Sequence, residues 1–252
     1  MPVYLEFERN EKGRDFVVGD LHGCYSLLDE ALVQVGFGQD VDRLFCTGDL
    51  VDRGPESHRA VSFLRQHWFH AVMGNHDKDV RDFIRGESKQ HQESWVRKGD
   101  RLMLDEFAWF VERMPRAIGV QTKQGLRGIV HVQVPRGLSW QTFIQRMEEG
   151  EFHALHTPVY SAFEAEDRRI THVEGIAHVF AGHSGEIHGI RHKANTIFID
   201  TNAKGRLMME VTGGPKKVID PLKLTLVDMS TKYSAIVSKK KHDRRIDIRL
   251  AS

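Results

Sequence analysis

The chain has 252 residues, with 36 Lys and Arg against 35 Asp and Glu, a balance that gives no whole-molecule field to steer nucleic acid or an acidic membrane. Its two cysteines, Cys24 and Cys46, are too few for a disulfide framework or a Cys-rich zinc site, and no apolar run approaches the ~20 residues that a bilayer span needs. The N-terminal segment is charged and lacks the apolar stretch of a signal peptide; with both thiols read as free, a reducing, cytoplasmic setting is expected.

Strand and helix alternate through the first half. Residues 15–19 (DFVVG) form a short buried strand. A helix is expected over 27–35, capped by Ser26 with Asp29 three residues on and closed by Gly36, with Leu27, Leu28, Ala31, Leu32 and Val35 on one face. Residues 43–47 give the next strand. Pro55 starts a helix that turns Val61 and Leu64 inward, and 69–73 is a third strand followed by a helix around Val80, Phe83 and Ile84. Repeats of this kind imply right-handed crossovers and a mainly parallel sheet. Residues 86–114 read as helical but irregular. Residues 128–135 form a strand, and Ser139 caps an amphipathic helix with Trp140, Phe143, Ile144 and Met147 at i, i+3, i+4, i+7. Further strands are expected at 178–181, 196–199, 207–211, 224–227 and 234–237. One α/β domain with two packed sheets over 1–238, followed by a solvated basic tail over 239–252, is the simplest organisation.

Three segments carry chemistry: Gly19-Asp-Leu-His-Gly23, Gly48-Asp-Leu-Val-Asp-Arg-Gly54 and Gly74-Asn-His-Asp77. Each follows an expected strand and precedes an expected helix. In an α/β sheet such junctions converge beyond the carboxyl ends of the strands. Asp20, His22, Asp49, Asn75 and His76 are therefore expected to meet in space. Any one Gly-Asp or Gly-Asn alone would more often be a turn, and His22 alone a surface residue. All three segments in order are not explained by turns. Carboxylate, amide and imidazole donors without a thiolate cluster suit manganese first, with iron and zinc as alternatives. Two such ions ~3.5–4 Å apart can hold a phosphate and activate water, and Asp49 on the middle segment is the candidate bridge. Arg53 offers a planar fork to phosphate oxygens.

The three segments resemble the signature of the phosphoprotein phosphatase family of binuclear metallophosphoesterases, in its short bacterial and bacteriophage branch: GDxHG, GDxVDRG and GNHE or GNHD. The resemblance implies a calcineurin-like, two-sheet β-sandwich flanked by helices. It implies that Asp20, His22 and Asp49 hold one metal, and that Asp49, Asn75 and two later histidines hold the other. His131, after Ile129-Val, and His183, after Ala181-Gly, take those places; His178, His188 and His192 are their competitors. Phe198-Ile-Asp-Thr201 is similar to the family's Ile-Asp-Thr strand. The implied activity is hydrolysis of phosphoserine or phosphothreonine, with phosphotyrosine as a further substrate, by direct attack of a metal-bridging hydroxide. His76 would then be general acid, Asp52 would orient it, and Arg53, Asn75 and His76 would face the phosphate.

Departures are visible. Ser184-Gly185 stands where the family usually has Thr-Pro, and Val132 where it has Ala. A second phosphate-binding arginine has no clear counterpart; Arg168 and Arg169 could serve or be surface charges. A sister branch hydrolyses dinucleoside polyphosphates and usually replaces the residue at the position of Asp52, so Asp52-Arg53 favours phosphoproteins. A non-catalytic binder of the same fold would be marked by loss of a ligand or of His76, and every core motif residue is present. Cys24, two residues after His22, fits no nucleophile pattern. No basic stripe beyond the tail suggests nucleic acid.

Overall fold

The structure, a computed structural model, describes residues 3–88, 94–151, 170–185, 189–203, 222–229, 233–239 and 246–250. Twelve strands are present among them: β1 (Tyr4–Phe7), β2 (Asp15–Val18), β3 (Arg43–Cys46), β4 (Phe69–Ala71), β5 (Ala117–Thr122), β6 (Gly125–Val130), β7 (His178–Ala181), β8 (Arg191–Lys193), β9 (Thr196–Phe198), β10 (Leu222–Asp228), β11 (Tyr233–Lys239) and β12 (Ile246–Leu250). Six helices accompany them: α1 (Tyr25–Gln34), α2 (Ala60–Leu64), α3 (Asn75–Ile84), α4 (Ser94–Lys98), α5 (Arg101–Val111) and α6 (Trp140–Glu148), with a 3-10 turn, Ser57–Arg59, leading into α2.

The strands form two mixed six-stranded sheets, ordered β1-β5-β6-β7-β9-β8 and β12-β11-β10-β2-β3-β4. The parallel sheet expected from the first half is real only for β2, β3 and β4; β10, β11 and β12 continue it antiparallel. Period-2 alternation sends successive side chains to opposite faces. Along β2 and β3, Phe16, Val18, Leu44 and Cys46 pack outward under α1, α2, α3 and α5, while Val17 and Phe45 face the other sheet. Along β6 and β7, Ile129 and Phe180 point into that same inter-sheet seam, while Val130, Val179 and Ala181 pack with Trp140, Phe143, Ile144 and Met147 of α6. The result is helix, sheet, sheet, helix. Each large side chain so buried contributes roughly 1.5–3 kcal/mol.

Helix boundaries follow local chemistry. Ser139 caps α6, accepting from the Thr142 N–H at 3.2 Å. Ser26 does not cap α1. The helix starts two residues earlier, at Tyr25 after Cys24, and the Ser26 N–H donates instead to Glu56 Oε2 at 2.7 Å. Gly36, at φ +59, closes α1 as expected.

The boundary placed at 238 needs correction at its far end. Residues 246–250 are a strand in register with β11, Tyr233 opposite Leu250 and Val237 opposite Ile246, so that part of the expected tail belongs to a sheet. The strand expected at 207–211, Arg168, Arg169, His188 and the basic run at 240–245 lie outside the described residues. Among the described residues no helix is long and apolar enough to cross a membrane.

Candidate active site

The turns after β2, β3 and β4 and the ends of β6 and β7 converge on one edge of the sandwich. Packing there is close enough to dictate residue type. A Cβ on Gly74 would lie 2.2 Å from the Asp49 nitrogen and 2.3 Å from its Oδ1, and one on Gly182 would lie 2.0 Å from Asp20 Oδ1. The His22 N–H donates to the Asp49 carbonyl at 2.7 Å, lacing the first turn to the second. His22, Asp49, Asp52, Arg53 and His183 all have positive φ, between 42° and 72°. Such conformations cost on the order of 1–3 kcal/mol each in a non-glycine residue and gather where geometry serves function.

Two donor clusters share Asp49. The ligand atoms of His22, Asp49 and His76 lie within 4.8 Å of one another, and so do those of Asp49, His131 and His183. Asp49 Oδ2 is 3.4 Å from His22 Nε2, and Oδ1 is 3.5 Å from His131 Nε2. Asn75 Oδ1 lies 3.0 Å from both His131 Nε2 and His183 Nδ1, which are themselves 3.2 Å apart.

The donor set fits divalent cations, and the argument is one of lone pairs. His131 Nδ1 is 2.8 Å from the Thr47 carbonyl and His22 Nδ1 is 3.2 Å from the Val51 carbonyl. Those carbonyls can only accept, which assigns a proton to Nδ1 in each ring and turns Nε2 toward the site. His131 Nε2 then faces the oxygen of Asn75 at hydrogen-bond distance, and His22 Nε2 faces the Asp49 carboxylate. With neutral rings these are pairs of acceptors, which a cation between them, a proton or a metal ion, would relieve.

Asp20 is buried beside these clusters. Its Oδ1 accepts from the Thr47 hydroxyl at 2.7 Å and its Oδ2 from the His183 N–H at 2.8 Å, so it ties the end of β3 to the end of β7. The Gly185 N–H donates to Asp200 Oδ2 at 2.8 Å, which fixes the loop that carries His183.

His76 is held differently from the other site histidines. Its Nδ1 meets Asp52 Oδ2 at 3.0 Å and its Nε2 accepts from an Arg53 guanidinium nitrogen at 2.8 Å. Both ring nitrogens are thus occupied, although the ring stands near His22 and Asp49. Asp52 is also bound from behind, because the Trp95 indole N–H donates to its Oδ1 at 3.1 Å. Burial works against protonation of His76, but the hydrogen bond to Asp52 and the charge of Asp49 outweigh burial and the Arg53 cation, and its pKa is raised.

Electrostatics separates two neighbouring carboxylates. Burial pushes Asp49 up, but His131, His22, His76 and the His76 N–H hold it well below the ordinary carboxylate range. Asp77, buried beneath, is raised by burial and by the Asp49 charge, even though it accepts from the N–H groups of Leu50 at 2.8 Å and Gly74 at 3.0 Å. Ionisation is concentrated on the carboxylate shared by both clusters.

All nine residues singled out from the sequence meet here: Asp20, His22, Asp49, Asp52, Arg53, Asn75, His76, His131 and His183. The two competitors among the described residues, His178 and His192, do not. His178 pairs with Arg127 within the sheet, and His192 is exposed on β8. Sequence reasoning missed Thr47, Trp95 and Asp77 as supports. Asp77 was legible as an acidic residue in the first turn of α3; Thr47 and Trp95 act over long sequence separations and left no local signal.

With this geometry in place, the likeness to known proteins is specific. The chain belongs to the calcineurin-like phosphoesterase family, whose profile matches residues 16–186. It is 28% identical to serine/threonine-protein phosphatase 1 of Salmonella typhimurium over 215 residues, covering 80% of this chain and 92% of that protein. It is 33% identical to the symmetrical bis(5'-nucleosyl)-tetraphosphatase of Erwinia tasmaniensis over 109 residues, 36% of this chain and 40% of that protein. The cold-active protein-tyrosine phosphatase of a psychrophilic Shewanella superposes with a TM-score of 0.58 at 15% identity, over 98% of this chain and 82% of that one, a likeness of fold alone.

Proposed function

We propose that this metallophosphoesterase is a phosphoprotein phosphatase that hydrolyses phosphoserine and phosphothreonine esters, with manganese as its working metal. The observation that carries the reading is the Asp52–His76 pair, standing beside two donor clusters that share Asp49. Asp20, His22 and Asp49 would hold one ion, and Asp49, Asn75, His131 and His183 the other. Two divalent ions supply, when bound, the positive charge that draws in a phosphoryl group and the acidity that readies a water for attack.

The chain's own groups do the remainder. Arg53 turns its fork from His76 to the phosphate oxygens. That move uncovers His76 Nε2 and withdraws the cation that, after burial, opposes protonation of the ring. The imidazole then carries a proton at Nε2, facing the leaving oxygen, while Asp52 holds Nδ1 and stabilises the imidazolium. Serine and threonine alkoxides are poor leaving groups, so they are the substrates for which this proton matters most. Similarity to a serine/threonine phosphatase over most of the chain supports the same class. Both cysteines are free and buried, which supports a reducing, cytoplasmic setting.

A second reading, hydrolysis of dinucleoside polyphosphates, has the tetraphosphatase likeness behind it over the shorter stretch. Parallel assays with manganese on a phosphoserine, phosphothreonine and phosphotyrosine peptide panel and on diadenosine tetraphosphate separate the two. The expected result is a higher kcat/KM on phosphoserine and phosphothreonine peptides, abolished by chelation and restored by manganese. A clear preference for diadenosine tetraphosphate overturns the phosphoprotein assignment.

A further inference from the structure

Trp95 reaches the acid dyad from an element outside all three sequence motifs. It lies on α4, and its ring packs edge-on against Phe107 of α5, with centroids 5.9 Å apart and planes at 87°. Its Nε1 donates to Asp52 Oδ1 at 3.1 Å, while Asp52 Oδ2 faces His76 Nδ1 at 3.0 Å. The backbone around Asp52 is pinned as well, with φ at +69° and its N–H donating to Ser57 Oγ at 3.0 Å. The backbone fixes where the carboxylate stands but not how its plane is turned, because the terminal torsion of aspartate is broad and has no sharp rotamer well. The indole N–H, a donor with no acceptor capacity, selects one orientation of that plane. That orientation presents Oδ2 to His76.

We propose that Trp95 is a positioning residue for the proton-donation step: its indole N–H sets the plane of the Asp52 carboxylate, and through it the aim of His76 Nε2 at the leaving oxygen. The inference rests on the general-acid role given to His76 above. It assigns no contact between Trp95 and substrate. Its consequence is selective. Loss of the indole N–H slows substrates that need a proton on the leaving oxygen and spares those that do not.

The test compares Trp95→Phe, which keeps a ring against Phe107 and removes the donor, with His76→Asn as reference. The readouts are kcat and KM on a phosphoserine peptide and on nitrophenyl phosphate, with manganese content and melting temperature measured on the same samples. Trp95→Phe is expected to lower kcat on the phosphoserine peptide roughly 10-fold, the scale of one hydrogen bond to a charged group. On nitrophenyl phosphate the loss should stay within about 2-fold on the same argument, with KM and metal content unchanged. In an Asp52→Ala background the Trp95→Phe effect should vanish, since the donor then has no side-chain acceptor to orient. Equal losses on both substrates, or an undiminished effect in that background, overturn the proposal. If His76→Asn is itself unselective, the general-acid reading falls and this inference with it; if His76→Asn is selective and Trp95→Phe is not, only the inference falls. Should Trp95→Phe fail to fold, a tryptophan isostere with sulfur in place of the indole N–H, installed at position 95, removes the donor and keeps the shape, and the same two outcomes decide.

Discussion

The two sheets reach the candidate site by different means. The sheet holding β2, β3 and β4 delivers Asp20, His22, Asp49, Asp52, Arg53, Asn75 and His76 on three tight turns, four of them at positive φ. The sheet holding β6 and β7 delivers His131 and His183, each just past the end of a strand. The first set is bound by steric demands as well as chemistry. Gly74 is pressed against Asp49, and the His22 turn hydrogen-bonds to the Asp49 turn, so neighbouring positions are constrained together. The second set is aimed by contacts from outside its own strand ends: the Thr47 carbonyl for His131, and Asp20 together with the loop held by Asp200 for His183. A site built this way needs one carboxylate that belongs to both halves, and Asp49 is that carboxylate.

The largest expected effect therefore comes from breaking the join. Asp49→Ala removes an oxygen from both clusters at once and is expected to abolish binding of both ions. Turnover should fall on the order of 10⁴-fold, about 5.5 kcal/mol in barrier. Elemental analysis and kcat on the same sample check it. Full occupancy of two ions in Asp49→Ala would show that the sheets hold their metals independently.

Next in size are the halves taken singly. His131→Ala should cost the ion on the side of the second sheet and leave the other, and His22→Ala should do the reverse, each lowering turnover roughly 10³-fold. Stoichiometry separates them from Asp49→Ala, with one ion per chain in each variant against none. Loss of both ions from either variant would mean that the clusters fill only together.

A smaller and more selective effect belongs to the first sheet alone. His76→Asn should keep both ions and lose roughly 10²-fold on a phosphoserine peptide, the lower end of what general acid catalysis contributes. On nitrophenyl phosphate, whose leaving group departs unaided, the loss should be clearly less. Asp52→Asn should follow the same pattern more weakly. Loss of an ion from His76→Asn would instead make His76 a ligand, in line with its place beside His22 and Asp49.

The same contrast governs what could be read from the residues alone. The three turns were legible because each fixes several residues at once, and β2, β3, β7 and α6 were legible as apolar runs or a capped amphipathic helix. His131 and His183 could be placed only by resemblance, since one histidine after an apolar strand is a thin signal. Tyr4–Phe7 was overlooked because its charged surroundings mask an edge strand. Its partner β5 was hidden by Gly119, which leaves room for the Tyr4 ring; a Cβ there would sit 2.1 Å from the Tyr4 hydroxyl. At the other end, Ile-Asp-Ile-Arg-Leu does alternate, but the adjoining Lys and Arg run led 239–252 to be read as solvated, whereas 246–250 pairs with β11.

The smallest effect on turnover tests the seam where the sheets meet away from the metals. His70 on β4 lies against Phe7 of the second sheet, ring centroids 4.5 Å apart, and Phe45 of its own, at 5.2 Å. Burial, then the charge of Arg43, then His67 lower its pKa from 6.5 to about 4. The sign follows from proton counting. Above pH 6.5 neither folded nor unfolded chain protonates this ring, and it contributes nothing to the pH dependence. As pH falls from 6.5 towards 4 the unfolded chain takes up the proton and the folded one does not, so stability is lost across that window and levels off below pH 4. The loss amounts to roughly 2 kcal/mol at pH 5. His70→Phe removes the titrating ring while keeping an aromatic group against Phe7 and Phe45. It should leave turnover at pH 7.5 unchanged within about 2-fold, because the site lies at the turns and not in this seam. Urea unfolding of both proteins at pH 7.5 and pH 5 is the measurement. The wild type should lose roughly 2 kcal/mol more than the variant between those two values. Parallel losses in the two proteins would mean that the ring is solvated and that the sheets part more readily at this end than their packing implies. A fall in turnover of His70→Phe at pH 7.5 comparable to that of His76→Asn would mean that the seam and the metal-binding edge are mechanically one unit, and the division of labour between the sheets would have to be redrawn.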